Sequence, residues 1–272
     1  MIGKPFDRID AIYPIATKTE RKLIDGMRKI KRSDLIYLSI TELATQVKVA
    51  EATIVRLCHK LGYDGFQDFK LCLSRELGNV ENLNDGIARQ IANRMTDAIN
   101  ETYKSLDYDK CVEIADLTIN ANKVCAFGVG NSYITAVEIS NVLARIGINV
   151  TVTADSHLQA MIAANMKEND LIFLISVSGS TKDIIDVAKI VKGKNVKIVV
   201  ITCYDQSPLA KYGDYILYST RREAAYEGGS VSTVVSISYI VDVLYNAIYE
   251  KLGADAYERT LCAASAVASK SI

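Results

Sequence analysis

The stretch LIFLISVSGSTKDII, residues 171 to 185, changes character in its middle. Its first half is apolar and rich in isoleucine and leucine, as in a strand that is buried on both faces of a parallel sheet. Its second half places four hydroxyl side chains and Gly179 within six positions, and a helical pattern, TKDIIDVAKIVK, then begins. A buried strand followed by a hydroxyl-rich turn and an amphipathic helix predicts an α/β fold.

Four other runs in the second part of the chain have the same strand-like character, namely KVCAFGVG, NVTVTA, VKIVVIT and DYILYS. Each is short and is separated from the next by a stretch long enough for a helix, which is typical of a parallel sheet with helices on both faces. We therefore predict a doubly wound, mainly parallel five-stranded α/β domain. Sheets of this kind bind ligands just beyond the carboxyl ends of their strands.

Residues 1 to 77 show helical patterns and no strand pattern, which predicts an all-α N-terminal domain. This part carries 14 Lys and Arg against 10 Asp and Glu, whereas the whole chain has 32 of each class. A basic module of this kind suits an anionic partner such as nucleic acid. The Gly- and Asn-rich run GNVENLNDG indicates a linker, so we assign residues 78 to 106 to a linker and connecting helix and residues 107 to 272 to the α/β domain.

Residues 39 to 62 have the pattern of a helix-turn-helix. Ser39 and Glu42 form an S-x-x-E capping box at the start of a short helix, and a second helix ends near Gly62. The apolar face of the second helix leaves other side chains free to contact bases or phosphates in a DNA major groove. The predicted DNA-contacting residues are Thr53, Arg56, His59 and Lys60. The alternative is that these side chains are solvated surface, which is common for short helical hairpins.

The run SITELATQVKVAEATIVRLCHKLGYDGFQDFK resembles the N-terminal helix-turn-helix of the RpiR/MurR family of bacterial transcription regulators, including the LGYDGFQDFK tail after the second helix. The α/β domain resembles a SIS (sugar isomerase) domain, so the resemblance covers nearly the whole chain. Ala50 and Glu51 depart from the pattern, because the family commonly has a serine cap and a small or proline residue there. Losing such a cap costs about 1 kcal/mol of local stability.

The hydroxyl-rich turn suits an anion, because a helix N-terminus offers free backbone N–H groups and Ser and Thr hydroxyls donate further hydrogen bonds. A second such turn, with Gly128 and Gly130, follows KVCAFGVG. The resemblance to SIS domains implies that both turns hold one phosphosugar and that the region before the final helix borders it. The implied ligand contacts are Asn131, Ser132, Ser176, Ser178, Ser180, Thr181, Glu227 and Ser230. The alternative is that the hydroxyls only terminate strands and cap helices.

Some SIS domains isomerise sugar phosphates, a reaction that needs a base beside the carbonyl group. Glu138, His157 and Glu227 are candidates for that base. No cluster of residues compels catalysis, and a helix-turn-helix has no obvious purpose in an isomerase. We therefore predict a non-enzymatic regulator whose operator affinity changes when a sugar phosphate binds. Two alternatives stay open: a sugar-phosphate isomerase or lyase with an appended helical domain, and a DNA-binding scaffold whose second domain only oligomerises.

The six cysteines form no C-x-x-C pair, as expected of buried thiols in a reducing compartment, so we predict neither a disulfide nor a metal site. No signal-peptide core and no membrane-length apolar run occur, which predicts a cytoplasmic protein without membrane contact. No P-loop or dinucleotide fingerprint occurs, so no cofactor is expected. The expected partners are double-stranded operator DNA, a sugar phosphate, and further copies of the chain in a homodimer or tetramer.

Overall fold

The computed structural model describes residues 5–36, 38–77, 87–220 and 231–268. These residues form two compact units, one up to Asn93 and one from Arg94 onward. The division falls within one long helix, Ile87–Ser105. The expected linker at residues 78–86 and two predicted ligand contacts, Glu227 and Ser230, lie outside the described residues.

The first unit is helical throughout its described part, which confirms the all-α prediction for the N-terminal domain. Its helices pack a single core that includes Leu23, Leu43, Leu57 and Phe69. The longer helices contribute apolar side chains at three- and four-residue spacing, such as Leu23, Ile24 and Met27 of the second helix. The elements are α1 (Pro5–Ile12), a 3-10 turn (Tyr13–Ile15), α2 (Lys18–Lys29), α3 (Arg32–Leu35), α4 (Ile40–Val47), α5 (Glu51–Lys60), α6 (Phe66–Leu77) and the start of α7 (Ile87–Ser105).

Helices α4 and α5 form the predicted helix-turn-helix. Ser39 Oγ accepts a hydrogen bond from the backbone N–H of Glu42 at 3.0 Å, and the Glu42 carboxylate accepts one from the backbone N–H of Ser39 at 2.7 Å. The capping box is therefore complete. Lys48 ends α4 with a left-handed backbone (φ +57°), and Gly62 (φ +84°) follows the end of α5.

The start of α5 has no capping side chain, as the alanine at position 50 predicts. A hydrogen bond of 2.7 Å from Thr41 Oγ1 to Glu51 Oε1 instead joins the first turn of α4 to the first turn of α5. This side-chain contact thus connects the start of α4 to the residue that directly follows the turn between the two helices.

The second unit is built on a five-stranded sheet in which every neighbouring pair of strands is parallel. The strand order is β2-β1-β3-β4-β5, which confirms the prediction of a doubly wound sheet. The strands are β1 (Val124–Phe127), β2 (Val150–Thr151), β3 (Leu171–Ile175), β4 (Lys197–Thr202) and β5 (Tyr215–Tyr218). The helices are the rest of α7, α8 (Tyr108–Asn120), α9 (Asn131–Ala144), α10 (Ser156–Ala164), α11 (Lys182–Val191), α12 (Val231–Leu252) and α13 (Ala254–Ala268), with a 3-10 turn at Ala210–Tyr212.

Alternate side chains of β3 enter two different cores. Phe173 and Ile175 pack in a core shared with α8, α9 and α12, whereas Ile172 and Leu174 pack in a core shared with α10 and α11. All five residues of β3 are buried. Burial on both faces explains why the run LIFLI is continuously apolar and does not alternate with polar residues.

The strand order reverses direction between β1 and β3. From β1 the chain moves outward to β2, crosses back to β3, and then continues to β4 and β5 on the other side. The turns after β1 and β3 consequently lead to opposite faces of the sheet, since α9 belongs to one core and α11 to the other. A reversal of this kind opens a crevice at the carboxyl ends of the two strands, where α/β proteins bind their ligands.

Candidate functional site

The hydroxyl-rich turn after β3 has a buried part and an exposed part. Ser176 is 1% exposed, and its Oγ lies 2.9 Å from Oγ1 of the half-buried Thr181. Ser178 and Ser180 are exposed. The backbone N–H of Ser180 donates to Ser178 Oγ at 3.2 Å, and Ser180 Oγ donates to the backbone oxygen of Ser178 at 3.3 Å. The contact between Ser176 and Thr181 thus joins the two ends of the turn, and the hydroxyl groups of Ser178 and Ser180 face solvent.

Gly179 has a left-handed backbone and little space for a side chain. Its φ is +59°, and an added Cβ would be 2.1 Å from Oγ and 2.2 Å from Cβ of Ser207. The backbone N–H of Gly179 donates to the oxygen of Ser176 at 3.0 Å, and its own oxygen accepts from the N–H of Leu209 at 3.0 Å. The turn is therefore fixed against the segment that follows β4.

The turn leads directly into the N-terminus of α11. Thr181 is the N-cap residue, but its side chain does not cap the helix, because its hydroxyl faces Ser176 instead. The first N–H groups of an α-helix have no acceptor within the helix and carry a partial positive charge. This end of α11 therefore presents N–H donors next to the exposed hydroxyls of Ser178 and Ser180, a combination that suits a phosphate group.

The turn after β1 has a similar construction. Gly128 is buried, and a Cβ there would lie 2.4 Å from the backbone oxygen of Ser132. Gly130, with φ +59°, precedes the first helical residue of α9, Asn131, which is exposed. No side chain caps this helix. Asn131 and the half-buried Ser132 thus lie in the first turn of α9, where the N–H of Ser132 donates to the oxygen of Val129 at 3.3 Å and that of Tyr133 donates to the oxygen of Gly130 at 3.0 Å.

Parallel pairing brings the two turns to one edge of the sheet. Phe127, the last residue of β1, is the register partner of Leu174 in β3. The predicted contacts Asn131 and Ser132 therefore follow the same edge as those of residues 176–181. This edge is also where the strand order reverses, and the six predicted ligand contacts that the structure describes follow it in the chain.

Gln159 is a buried polar residue beside the turn after β1, and the sequence did not reveal its contacts. It belongs to α10 and is 0% exposed. Its Nε2 donates to the backbone oxygens of Gly128 at 3.0 Å and Thr153 at 2.8 Å. It therefore joins the segments that follow β1 and β2, while its Oε1 is buried without a hydrogen-bond partner. No motif signals this residue, because a glutamine in the run DSHLQAM can equally face solvent.

The two described candidates for a catalytic base have different surroundings. The Glu138 carboxylate, in α9, accepts a hydrogen bond from Ser238 Oγ of α12 at 2.9 Å. It thus joins two helices of the second unit, an environment that the sequence did not predict. His157 is exposed near the start of α10.

The described residues contain no group of three or more His, Cys, Asp or Glu side chains that would hold a metal ion. Within the same part of the chain, no helix is long and apolar enough to cross a membrane. Cys125, in β1, is 0% exposed, and burial raises the pKa of its thiol to about 11. A thiol that stays protonated at neutral pH is a poor nucleophile, so Cys125 is a core residue.

The predicted DNA-contacting residues of α5 have unequal exposure. Arg56, His59 and Lys60 are exposed. The expectation that Thr53 also lies away from the packed face was wrong: it is 7% exposed, because α5 packs against α2 and α4. Lys60 Nζ lies 3.1 Å from Glu20 Oε2 of α2. A hydrogen bond from the Thr17 backbone N–H, with Lys60 beside it, lowers the pKa of the Glu20 carboxyl group.

Comparison with known proteins identifies both units. Residues 6–80 match the model of the helix-turn-helix domain of the rpiR family, and residues 117–247 match the SIS domain model. An HTH-type transcriptional regulator of Clostridium perfringens is 34% identical, with 93% of this chain and 94% of that protein covered. The chain belongs to the RpiR family of helix-turn-helix transcriptional regulators.

Two solved structures are similar to this chain. The RpiR-family chain is similar to the Vibrio vulnificus NanR protein complexed with ManNAc-6P, with 29% identity, a TM-score of 0.86, and coverage of 97% of this chain and 98% of NanR. The sugar isomerase domain of an RpiR transcription factor from Sphaerobacter thermophilus has a TM-score of 0.59 at 23% identity and covers 66% of this chain and 97% of that domain. The second of these likenesses concerns the fold alone.

Proposed function

We propose that this RpiR-family regulator binds a sugar phosphate at the carboxyl edge of its sheet and that this binding changes the affinity of its helix-turn-helix for operator DNA. The observation that carries the proposal is the turn at residues 176–181. It combines exposed hydroxyls, an uncapped helix N-terminus and the hydroxyl pair of the buried Ser176 and the half-buried Thr181, at the point where the strand order reverses. These are the features that bind a phosphate group in an α/β fold.

In this proposal the turn after β3 binds the phosphate group and the turn after β1 binds the sugar. Ser178, Ser180 and the N-terminus of α11 supply donors for the phosphate oxygens. Asn131 and Ser132, which follow the neighbouring strand, supply an amide and a hydroxyl that suit sugar hydroxyl groups. Because the NanR protein was solved with ManNAc-6P, an amino-sugar phosphate is the first ligand to test. Glu227 and Ser230 complete the proposed contact set.

The DNA side of the proposal depends on α5. Arg56, His59 and Lys60 are exposed on this helix, and Arg56 is suited to contact a base or a phosphate in the major groove. A single helix-turn-helix binds weakly, so we expect a homodimer or tetramer that reads two half-sites about 34 to 36 Å apart. A coupling free energy of about 1 to 3 kcal/mol between the two ligands gives a five- to 150-fold change in DNA affinity.

The first experiment measures the thermal unfolding of the full chain with ManNAc-6P, other hexose and pentose phosphates, and the matching unphosphorylated sugars. A ligand at about 100 times its dissociation constant stabilises the folded state by about 2.7 kcal/mol. We expect one sugar phosphate to raise the unfolding temperature and its plain sugar to leave it unchanged. Ser178→Ala should weaken that effect, and Ser265→Ala, which changes an exposed serine of α13, is the matched control. A flat response to the whole panel contradicts the proposal.

We further propose that the regulator senses its ligand without turnover and acts in the cytoplasm, where its DNA partner is found. The stabilising sugar phosphate is incubated with micromolar protein, and its isomerisation or cleavage is followed by NMR. Unchanged ligand spectra together with altered DNA binding are expected. Turnover that disappears in Glu138→Gln favours the alternative of a sugar-phosphate isomerase or lyase.

A further inference from the structure

A basic groove lies on the first unit between α2 and the C-terminal end of α4. It has a volume of about 910 Å³. Its floor is formed where the two helices approach closely, since a Cβ at Gly26 would lie 2.5 Å from Val47. The lining contains four cationic side chains and one carboxylate, namely Lys18, Arg21, Lys22, Lys29 and Asp25.

The cations of the groove are not neutralised by carboxylates. Elsewhere in the unit Arg28, Arg32 and Lys60 each lie within salt-bridge distance of an Asp or Glu. In residues 5–36 and 38–77, by contrast, no salt bridge involves any of the four groove cations. Instead, Arg21 donates to the backbone oxygen of Pro14 and Lys22 donates to that of Lys48.

The single carboxylate of the groove is already engaged. Asp25 Oδ1 accepts a hydrogen bond from Tyr13 Oη at 2.9 Å and lies 3.7 Å from Arg28 Nη1. The groove therefore has an excess of positive charge that the unit does not compensate. A surface of this kind attracts an anionic partner.

The position of the groove indicates which anion it takes. The first helix of a helix-turn-helix crosses the phosphate backbone of DNA while the second enters the major groove. Here α4 is that first helix, and its last residues, Gln46 and Val47, form one wall of the groove. The bond from Lys22 to the oxygen of Lys48, 2.8 Å long, also fixes the groove next to the turn that precedes α5.

We infer that this groove holds the phosphodiester backbone of the DNA duplex, as a contact surface separate from the exposed face of α5. The inference presupposes the proposed DNA binding and specifies where additional phosphates are held. Lys18 and Lys29 are the side chains that reach them, because both are exposed and neither makes a hydrogen bond within the described residues. Contacts to phosphates carry no sequence information, so they act on any duplex.

The test uses the full chain and a fluorescein-labelled duplex of random sequence, with binding followed by anisotropy between 50 and 300 mM KCl. The slope of log affinity against log salt falls by about 0.9 for each phosphate contact that is lost. Lys18→Gln and Lys29→Gln should each reduce the slope by about 0.9, and the double variant by about 1.8. Lys31→Gln is the matched control, since Lys31 is an exposed cation outside the groove.

The outcomes distinguish a failure of the proposed DNA binding from a failure of the groove as a phosphate site. If the unmodified chain does not bind the duplex, the proposed DNA binding fails. If it binds and the double variant keeps the full salt slope, the groove is not a phosphate site. A loss as large for Lys31→Gln as for the groove variants also overturns the inference, because the effect would then follow net charge alone. Thermal unfolding of each variant should match that of the unmodified chain.

Discussion

Replacement of Gly179 by alanine should destabilise the second unit through a collision with one neighbour. The φ of +59° costs an L-residue about 1 to 2 kcal/mol, and the new methyl group would lie 2.1 Å from Ser207 Oγ. Overpacking of a close-packed site adds about 1 to 3 kcal/mol. After a small gain from the less flexible unfolded chain, we expect Gly179→Ala to cost about 3 kcal/mol, or about 6 to 12 °C in unfolding temperature.

A matched glycine isolates the collision from the backbone cost. Gly253, between α12 and α13, has φ +56° and nothing within 4 Å of an added Cβ. Gly253→Ala should therefore cost only about 1 kcal/mol. Calorimetric or denaturant unfolding of the two variants measures the difference directly.

A second replacement tests the identity of the neighbour. Ser207→Gly removes the atoms that the alanine would meet, so it should restore part of the stability of Gly179→Ala. The double-mutant cycle of positions 179 and 207 should give a favourable coupling of about 1 to 3 kcal/mol. Equal losses for Gly179→Ala and Gly253→Ala, or a coupling near zero, would refute the steric reasoning.

Three further predictions concern other contacts. Thr181→Val leaves the buried Oγ of Ser176 without its partner and should cost about 1 to 3 kcal/mol in the free energy of unfolding, whereas the double variant with Ser176→Ala should cost less than the single one. Ala50→Ser should add the missing cap of α5 and raise the free energy of unfolding of the first unit by about 1 kcal/mol. Ser39→Ala, which removes the existing cap of α4, should lower it by a similar amount. Burial raises the pKa of the Cys58 thiol to about 12, so at alkaline pH the folded state keeps a proton that the unfolded chain releases. The free energy of unfolding should therefore fall as the pH rises above about 9. Cys58→Val, which removes the thiol, should make this fall less steep.

The fold could be predicted from the sequence because each element has its own local signal. The run LIFLI is apolar throughout, since both faces of β3 are buried, and Ser39 with Glu42 marks the start of α4. These signals depend only on neighbouring residues. Strand β2 is the weakest case: the run NVTVTA predicts a longer strand than the two residues, Val150 and Thr151, that pair with β1.

Contacts between distant residues could not be predicted in the same way. Gln159 binds oxygens 31 and 6 residues away, and Glu138 accepts a hydrogen bond from Ser238, 100 residues further along the chain. No spacing rule relates such positions. The prediction for Thr53 was wrong for a related reason. A threonine at the border of the apolar face of a helix is buried or exposed according to the helices packed against it, and the helical periodicity of the sequence does not decide this.

The reversal of strand order between β1 and β3 also bears on how this architecture diversifies. The residues proposed to hold the ligand lie in turns that follow the strands and in the first turns of helices, whereas the paired backbone of the five strands lies beneath them. Substitutions at positions such as Asn131 and Ser178 therefore leave both cores unaltered. A biosensor for a different metabolite can accordingly be sought by randomising these exposed positions, with Gly128, Gly179 and Gln159 kept constant as the framework on which they are displayed.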